Sequence, residues 1–272
     1  MLFFRYFSLQ YTKNSVSVHS DNITFSHTNR DYKDFDRMVN EAEGRYTRSY
    51  APSISFPVLM RKVYTWMALA MVITGITSYG VATSPALLEM IFGNRILFWG
   101  LIIAEFGLVI GISGMLNRIS LTMGTLMFIA YSVINGAMLS TVFILYTMES
   151  IGQVFFITAG TFGAMALLGY TTKTDLSSVG RILFMALIGL VIATVVNIFV
   201  GSTGLQTIIS YVGVLIFVGL TAYDTQKIKY MLAEQSDAGE GAQKIALLGA
   251  LTLYLDFVNL FIYLLRIFGN RK

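Results

Sequence analysis

Seven stretches of about twenty residues, each almost devoid of charge, occupy most of the sequence: roughly 63–83, 96–116, 121–147, 152–170, 182–201, 205–225 and 245–267. About 20 apolar residues let a helix cross the hydrocarbon core, where every backbone N–H and C=O must be paired within the protein. Charged or turn residues bound each stretch, among them Arg61-Lys62, Asn94-Arg95, Asn117-Arg118, Glu149-Ser150 and the segments TTKTDLSSVGR, GSTG and QKIKYMLAEQSDAGEGAQK. Only 12% of the chain is charged, about half of the roughly 25% found in soluble domains, so residues from Val63 onward cannot coat a soluble core. The sequence reads as an all-α membrane protein with seven transmembrane helices in residues 56–272.

Residues 1–55 differ in kind. The first 62 residues hold nine Lys/Arg, six Asp/Glu and both histidines, and the first 55 read as a largely disordered cytoplasmic tail. His19 and His27 are expected to be solvated there, without a metal. Arg5 interrupts the short opening apolar run, and no small-residue cleavage site follows, which argues against a signal peptide. The absence of cysteine excludes a disulfide framework, a thiolate metal site and a cysteine nucleophile. The net charge of +4 is spread over the ends and short loops, which argues against a nucleic-acid partner.

Lys/Arg asymmetry in short loops sets orientation. With the N-terminus inside, Arg118, Lys173, Arg181, Lys227, Lys229 and Lys244 fall on the inner side and only Arg95 on the outer side. An odd number of spans then leaves Arg266, Arg271 and Lys272 outside, against the trend. Small residues four apart, as in Gly107/Gly111, Ala159/Gly163 and Gly160/Ala164, are expected where helices approach closely. Asn135 and Asn197 are expected to bond between helices.

The informative residues are ionisable ones inside the apolar runs, because a buried Asp costs about 2.5–3.5 kcal/mol on insertion scales and faces a cavity or partner. Asp256 lies deep in the last run. Thr252, Asp256, Asn259, Tyr263 and Arg266 follow i, i+4, i+7, i+11, i+14 spacing, a polar stripe that must face inward and so places the last helix at the centre. Asp224 closes the sixth run, with Thr221 and Lys227 one turn to either side. Glu105 lies near the middle of the second run, and Arg118 follows its end.

The segments TAYDTQKIK at the end of the sixth run and LYLDFVNLFIYLLRIFG in the seventh resemble the Bax inhibitor (transmembrane Bax-inhibitor-motif) family. The resemblance covers residue 60 to the C-terminus. It implies six helices wrapped around the last, and a calcium leak governed by pH. It also implies that Asp224 and Asp256 form a hydrogen-bonded pair with Arg118 as a switchable basic partner, and Glu105 matches the acid of the family's second helix. Some family members are read as regulators of a membrane-bound protease or of cell death.

Paired carboxylates fit this reading on physical grounds. In a low-dielectric site both cannot ionise, so they share a proton and hold two helices together. Once the proton is lost they repel, and Arg118 can compensate one charge. Their oxygens also suit Ca²⁺. The expected function is therefore a pH-sensitive calcium-leak channel, with Asp224 and Asp256 as proton sensor and Ca²⁺ site, and Glu105, Asn259, Thr252 and Tyr263 in support. Ca²⁺ is the permeant or bound ion, no cofactor is tightly held, and a monomer is expected. The alternative is a membrane interaction module that regulates a membrane-bound protease or a stress response without transport. An aspartyl protease fits poorly, because LYLDF places bulky residues where a substrate strand must approach, so an enzyme is not expected. Short loops and the lack of a retention signal point to a bacterial inner membrane.

Overall fold

A computed structural model describes residues 56–116, 118–235 and 237–272, and no strand occurs among them. The 1–55 tail with its two histidines lies outside the described residues. Seven long helices follow in order: α1 (Phe56–Ala82), α2 (Arg95–Met115), α3 (Leu121–Leu145), α4 (Met148–Thr171), α5 (Ser177–Val200), α6 (Thr203–Ala233) and α7 (Glu240–Phe268). All seven are long and apolar enough to cross a membrane. A short helical stretch, Pro85–Leu88, continues as a π turn over Glu89–Gly93 between α1 and α2.

Local chemistry sets the ends. Ser120, Thr147 and Ser202 each precede a helix and accept a hydrogen bond from the amide three residues on, satisfying an otherwise orphaned donor. Gly201, at φ +66°, closes α5 in the left-handed conformation that glycine adopts without strain. Several helices are longer than their apolar runs, α1 and α6 most of all. α1 begins seven residues early and includes Arg61 and Lys62, while α6 extends eight residues past 225. Lys229 makes that extension affordable: its ammonium donates to the Tyr170 carbonyl at 2.7 Å and lies 5.4 Å from that ring's centroid. Gln226 ties the same extension to the α4–α5 connection, donating to the Thr174 carbonyl and accepting from the Leu176 amide.

Of the seven helices, α7 is the most buried: 72% of its most apolar window is buried, against 44% or less in the others. It packs mainly against α1, α3, α4 and α6, whereas α2 lies on α3 and α5 on α6. The outward faces carry large apolar residues such as Ile96, Ile103, Phe199 and Leu215, the inverse of a soluble surface and suited to lipid. α7 runs unbroken to Phe268. Beyond it the chain turns onto the α3–α4 connection: the Thr147 amide donates to Asn270 and the Lys272 amide to Leu145. The Lys272 ammonium donates to the Phe143 carbonyl at 2.8 Å.

The close helix approaches differ from those expected. A Cβ on Gly107, Gly160 or Gly163 would meet open space, although one on Gly111 would run into the Met127 side chain. The tight crossings are Gly136, against the Thr74 backbone of α1, and Gly169, against the Ala222 backbone of α6. Asn197 also departs from expectation, since its side-chain carbonyl accepts the Ser202 amide and closes its own turn.

Candidate functional site

Two stripes face each other where α6 and α7 cross. On α6, Gly213, Phe217 and Ile228 touch α7: Gly213 abuts the Tyr263 ring, Phe217 stacks on that ring at 5.9 Å, and Ile228 lies against Gly249. Asp224 is eleven residues beyond Gly213 and four before Ile228, spacings that keep it on the same face. On α7 the residues touching α6 are Gly249 and Tyr263, and Asp256 stands seven residues from each. Both carboxylates therefore belong to the α6–α7 interface. Asp224 is 1% exposed and Asp256 0%.

The same contacts fix the antiparallel register. Gly213 opposite Tyr263 and Ile228 opposite Gly249 place Asp224 across from Thr252–Leu253, and Asp256 across from Leu220–Thr221. The two acids are thus offset along the interface by about one helical turn, roughly 5 Å. Thr221, fully buried on the same stretch, bonds back to the Phe217 carbonyl.

The supporting residues do different work. Thr252 donates to the Leu248 carbonyl and Asn259 to the Leu255 carbonyl, each within α7. Such back-bonding satisfies each donor within its own helix and keeps the acceptor oxygen of both side chains in the interior. Tyr263 fills the space left by Gly213, and the Arg266 guanidinium lies 5.6 Å from its ring centroid. Arg118 is exposed in the connection between α2 and α3, and no ion pair with Asp224 or Asp256 is seen for it among the described residues. Also among these residues, no cluster of three or more His, Cys, Asp or Glu side chains could hold a metal. Two carboxylates supply at most four of the six to eight oxygens that Ca²⁺ takes, so an ion passing between them would keep part of its water.

A second buried polar group, not anticipated from the sequence, lies on the opposite side of α7. The Thr74 hydroxyl of α1 donates to the Ser132 carbonyl at 3.0 Å and lies 2.7 Å from the Tyr254 hydroxyl. Since Thr74 has one proton, Tyr254 donates to it. Asn135 donates to the Tyr131 hydroxyl at 3.3 Å, and the Tyr131 and Tyr254 rings meet edge-on at 5.9 Å. Glu105, on α2, interacts electrostatically with both tyrosines, and its buried Oε1 has no hydrogen-bond partner among the described residues. The sequence signals for this group were Glu105 and Asn135, the latter expected to bond between helices and here donating to Tyr131 of its own helix. Beyond Thr74, towards the other end of α1, a cavity of about 110 Å³ reaches Ser78 and is walled by Phe143, Phe155, Phe257 and Phe261.

The family model described as "Inhibitor of apoptosis-promoting Bax1" matches residues 57–272. The inner membrane protein YbhL of Escherichia coli K12 is 49% identical over 223 residues, covering 81% of this chain and 95% of that protein. An uncharacterized protein of Borreliella burgdorferi is 44% identical over 78% of this chain and 92% of its own length. The uncharacterized protein RP147 of Rickettsia prowazekii is 40% identical over 78% and 89%.

Proposed function

This chain belongs to the Bax inhibitor family, and from that premise we propose that it is a pH-sensitive calcium leak gated by Asp224 and Asp256. The observation that carries the reading is the burial of two carboxylates on facing stripes of α6 and α7, one turn apart. In so low a dielectric, two charges at that spacing repel strongly, and the pair keeps a proton while the helices stay packed. The proton acts as the latch. At lower pH the pair is held and the path is shut. As pH rises the proton leaves, the carboxylates repel, and α6 separates from α7. The two charged side chains then offer oxygens to a hard cation.

In the conformation described both carboxylates are buried and α6 is packed on α7, which supports reading it as the shut state. We keep Arg118, exposed in the α2–α3 connection, as the proposed basic partner of the pair once it is charged and α6 has moved. The protein is integral and multi-pass, and we place it in a bacterial inner membrane with its N-terminus in the cytoplasm. It acts by conducting ions, without catalysing a reaction. The test is Ca²⁺ flux into liposomes containing the purified protein, measured between about pH 5 and 8. Flux that rises with pH is expected, and liposomes with no protein-dependent flux anywhere in that range would falsify the proposal.

A further inference from the structure

Where α1, α3 and α7 come together at the end of the bundle that holds the start of α1, a cleft of about 280 Å³ is lined by Arg61, Lys62, Thr65, Trp66, Leu69, Leu121, Thr125 and Gln243. A single water takes ~30 Å³, so the cleft admits a whole phosphodiester. Its charge is one-sided. Among the described residues no carboxylate pairs with Arg61 or Lys62, and the nearby acid, Glu240, is engaged by Lys244 at 3.0 Å and by the Leu121 amide. Lys62 donates to Gln243 at 3.0 Å, which fixes its ammonium in the cleft and leaves two protons to give. The Thr65 hydroxyl is spent on the Arg61 carbonyl, whereas the Thr125 hydroxyl makes no hydrogen bond among the described residues.

The lining changes character with depth. Along α1, Arg61, Thr65 and Leu69 stand four residues apart on one face, with Lys62 and Trp66 beside them, so the wall passes from cation through hydroxyl and indole to aliphatic. Leu69 is 48% exposed, so the deep end opens towards lipid. A soluble anion has no use for that apolar extension. A phospholipid matches both ends, with its phosphate at the cations and its acyl chain along Trp66 and Leu69. Basic clefts between transmembrane helices at the membrane–water edge bind anionic headgroups in this way, and tryptophan favours the same depth.

We infer that this cleft binds an anionic phospholipid, with its phosphate held by Arg61, Lys62 and Thr125 and its chain along Trp66 and Leu69. The site is separate from the acid pair, and its occupancy does not depend on whether the protein conducts Ca²⁺.

Trp66 is one of two tryptophans, so a full-length Trp99→Phe chain carries its reporter inside the site. That chain is reconstituted in phosphatidylcholine vesicles with a small fraction of either brominated phosphatidylglycerol or brominated phosphatidylcholine, and quenching of Trp66 gives the relative binding constant. Phosphatidylglycerol is expected to be preferred, and Arg61→Gln is expected to weaken that preference about fivefold, as is Lys62→Gln, from the ~1 kcal/mol per basic residue typical near an anionic surface. Arg61 is exposed, so its variant decides the matter even if Lys62→Gln fails to fold. Equal quenching by the two lipids overturns the inference, as does a preference unchanged in Arg61→Gln. Inorganic phosphate is expected to displace the lipid no better than chloride at matched ionic strength. Specific displacement by phosphate would assign the cleft to a free anion and overturn the lipid reading.

Discussion

Replacing one member of the acid pair by its neutral isostere is the sharpest perturbation of the proposed gate. Asp224→Asn and Asp256→Asn keep size and most hydrogen bonding but remove the charge that appears when the proton leaves. The repulsion they abolish can be sized by adding a short lateral gap to the axial offset of about one turn, roughly 5 Å. Two unit charges 5–7 Å apart at an effective dielectric of 20 repel by about 2–3 kcal/mol. Since 1.4 kcal/mol is a factor of ten, that repulsion shifts the packed–separated equilibrium roughly 30- to 140-fold between the protonated and deprotonated pair. Neither Asn variant can generate it. Ca²⁺ flux in liposomes should therefore lose most of its dependence on pH between about 5 and 8 in each variant, whatever the absolute rate. Asp256→Asn should also weaken Ca²⁺ binding more than Asp224→Asn, because Asp256 is sixteen residues into α7 and twelve from its end, whereas Asp224 is nine from the end of α6, nearer to water. A wild-type pH profile in both variants would spare the channel and remove the pair as its sensor.

Glu105→Gln should disturb that profile less than either Asp variant, because Glu105 is on α2, which packs mainly on α3, and has no place on the α6–α7 stripes. An equal or larger effect in the same flux assay would move the sensor to α2. Gly169→Ala should lower stability in detergent by about 1–3 kcal/mol, as overpacking does, because its methyl meets the Ala222 backbone, which cannot yield as a side chain can. Thermal unfolding reads this, and the same change at Gly160, where space is open, should be near neutral. Orientation is testable cleanly because the chain has no cysteine. A membrane-impermeant maleimide applied to intact cells should label Glu89→Cys and spare Asp237→Cys, and the reverse pattern would invert the topology.

Composition alone carried the seven spans, since nothing but a bilayer suits runs that apolar, but it misplaced several ends. Lys227 and Lys229 read as the start of a loop, yet α6 continues through them to Ala233, and the Lys229 stem carries its ammonium to the Tyr170 carbonyl. The burial of Asp256 was legible for a different reason: Asp256, Asn259 and Tyr263 repeat at helical spacing, and a polar stripe on an apolar helix has few places to face, whereas the pairing with Asp224 came from the family resemblance and stays a proposal. The spacing of small residues was a poor guide, because it marks where helices could approach without saying which face has a neighbour. Gly136 and Gly169 are distinguished only by the backbones of Thr74 and Ala222 beside them.

Tyr254 was illegible because its partners come from α1 and α3, more than a hundred residues earlier, and because it looks like one more aromatic in a run of them. Its position constrains how the gate can move. At 100° per residue, Tyr254 and Asp256 point about 200° apart around α7, one into the Thr74–Tyr131–Asn135 group and the other towards α6. Rotating α7 to release Asp256 would drag Tyr254 out of its hydrogen bonds and strand buried hydroxyls, at about 1–3 kcal/mol for each group left unsatisfied. Displacing α6 breaks nothing on the far side of α7. α6 is itself anchored to α4 and the α4–α5 connection, by Gly169 against the Ala222 backbone, Lys229 on the Tyr170 carbonyl and Gln226 on Thr174 and Leu176, so in the proposed gate it would pivot on that end. In the proposed gate, the repulsion of the charged pair would therefore be relieved by moving α6 against an α7 held in place by its own tyrosine.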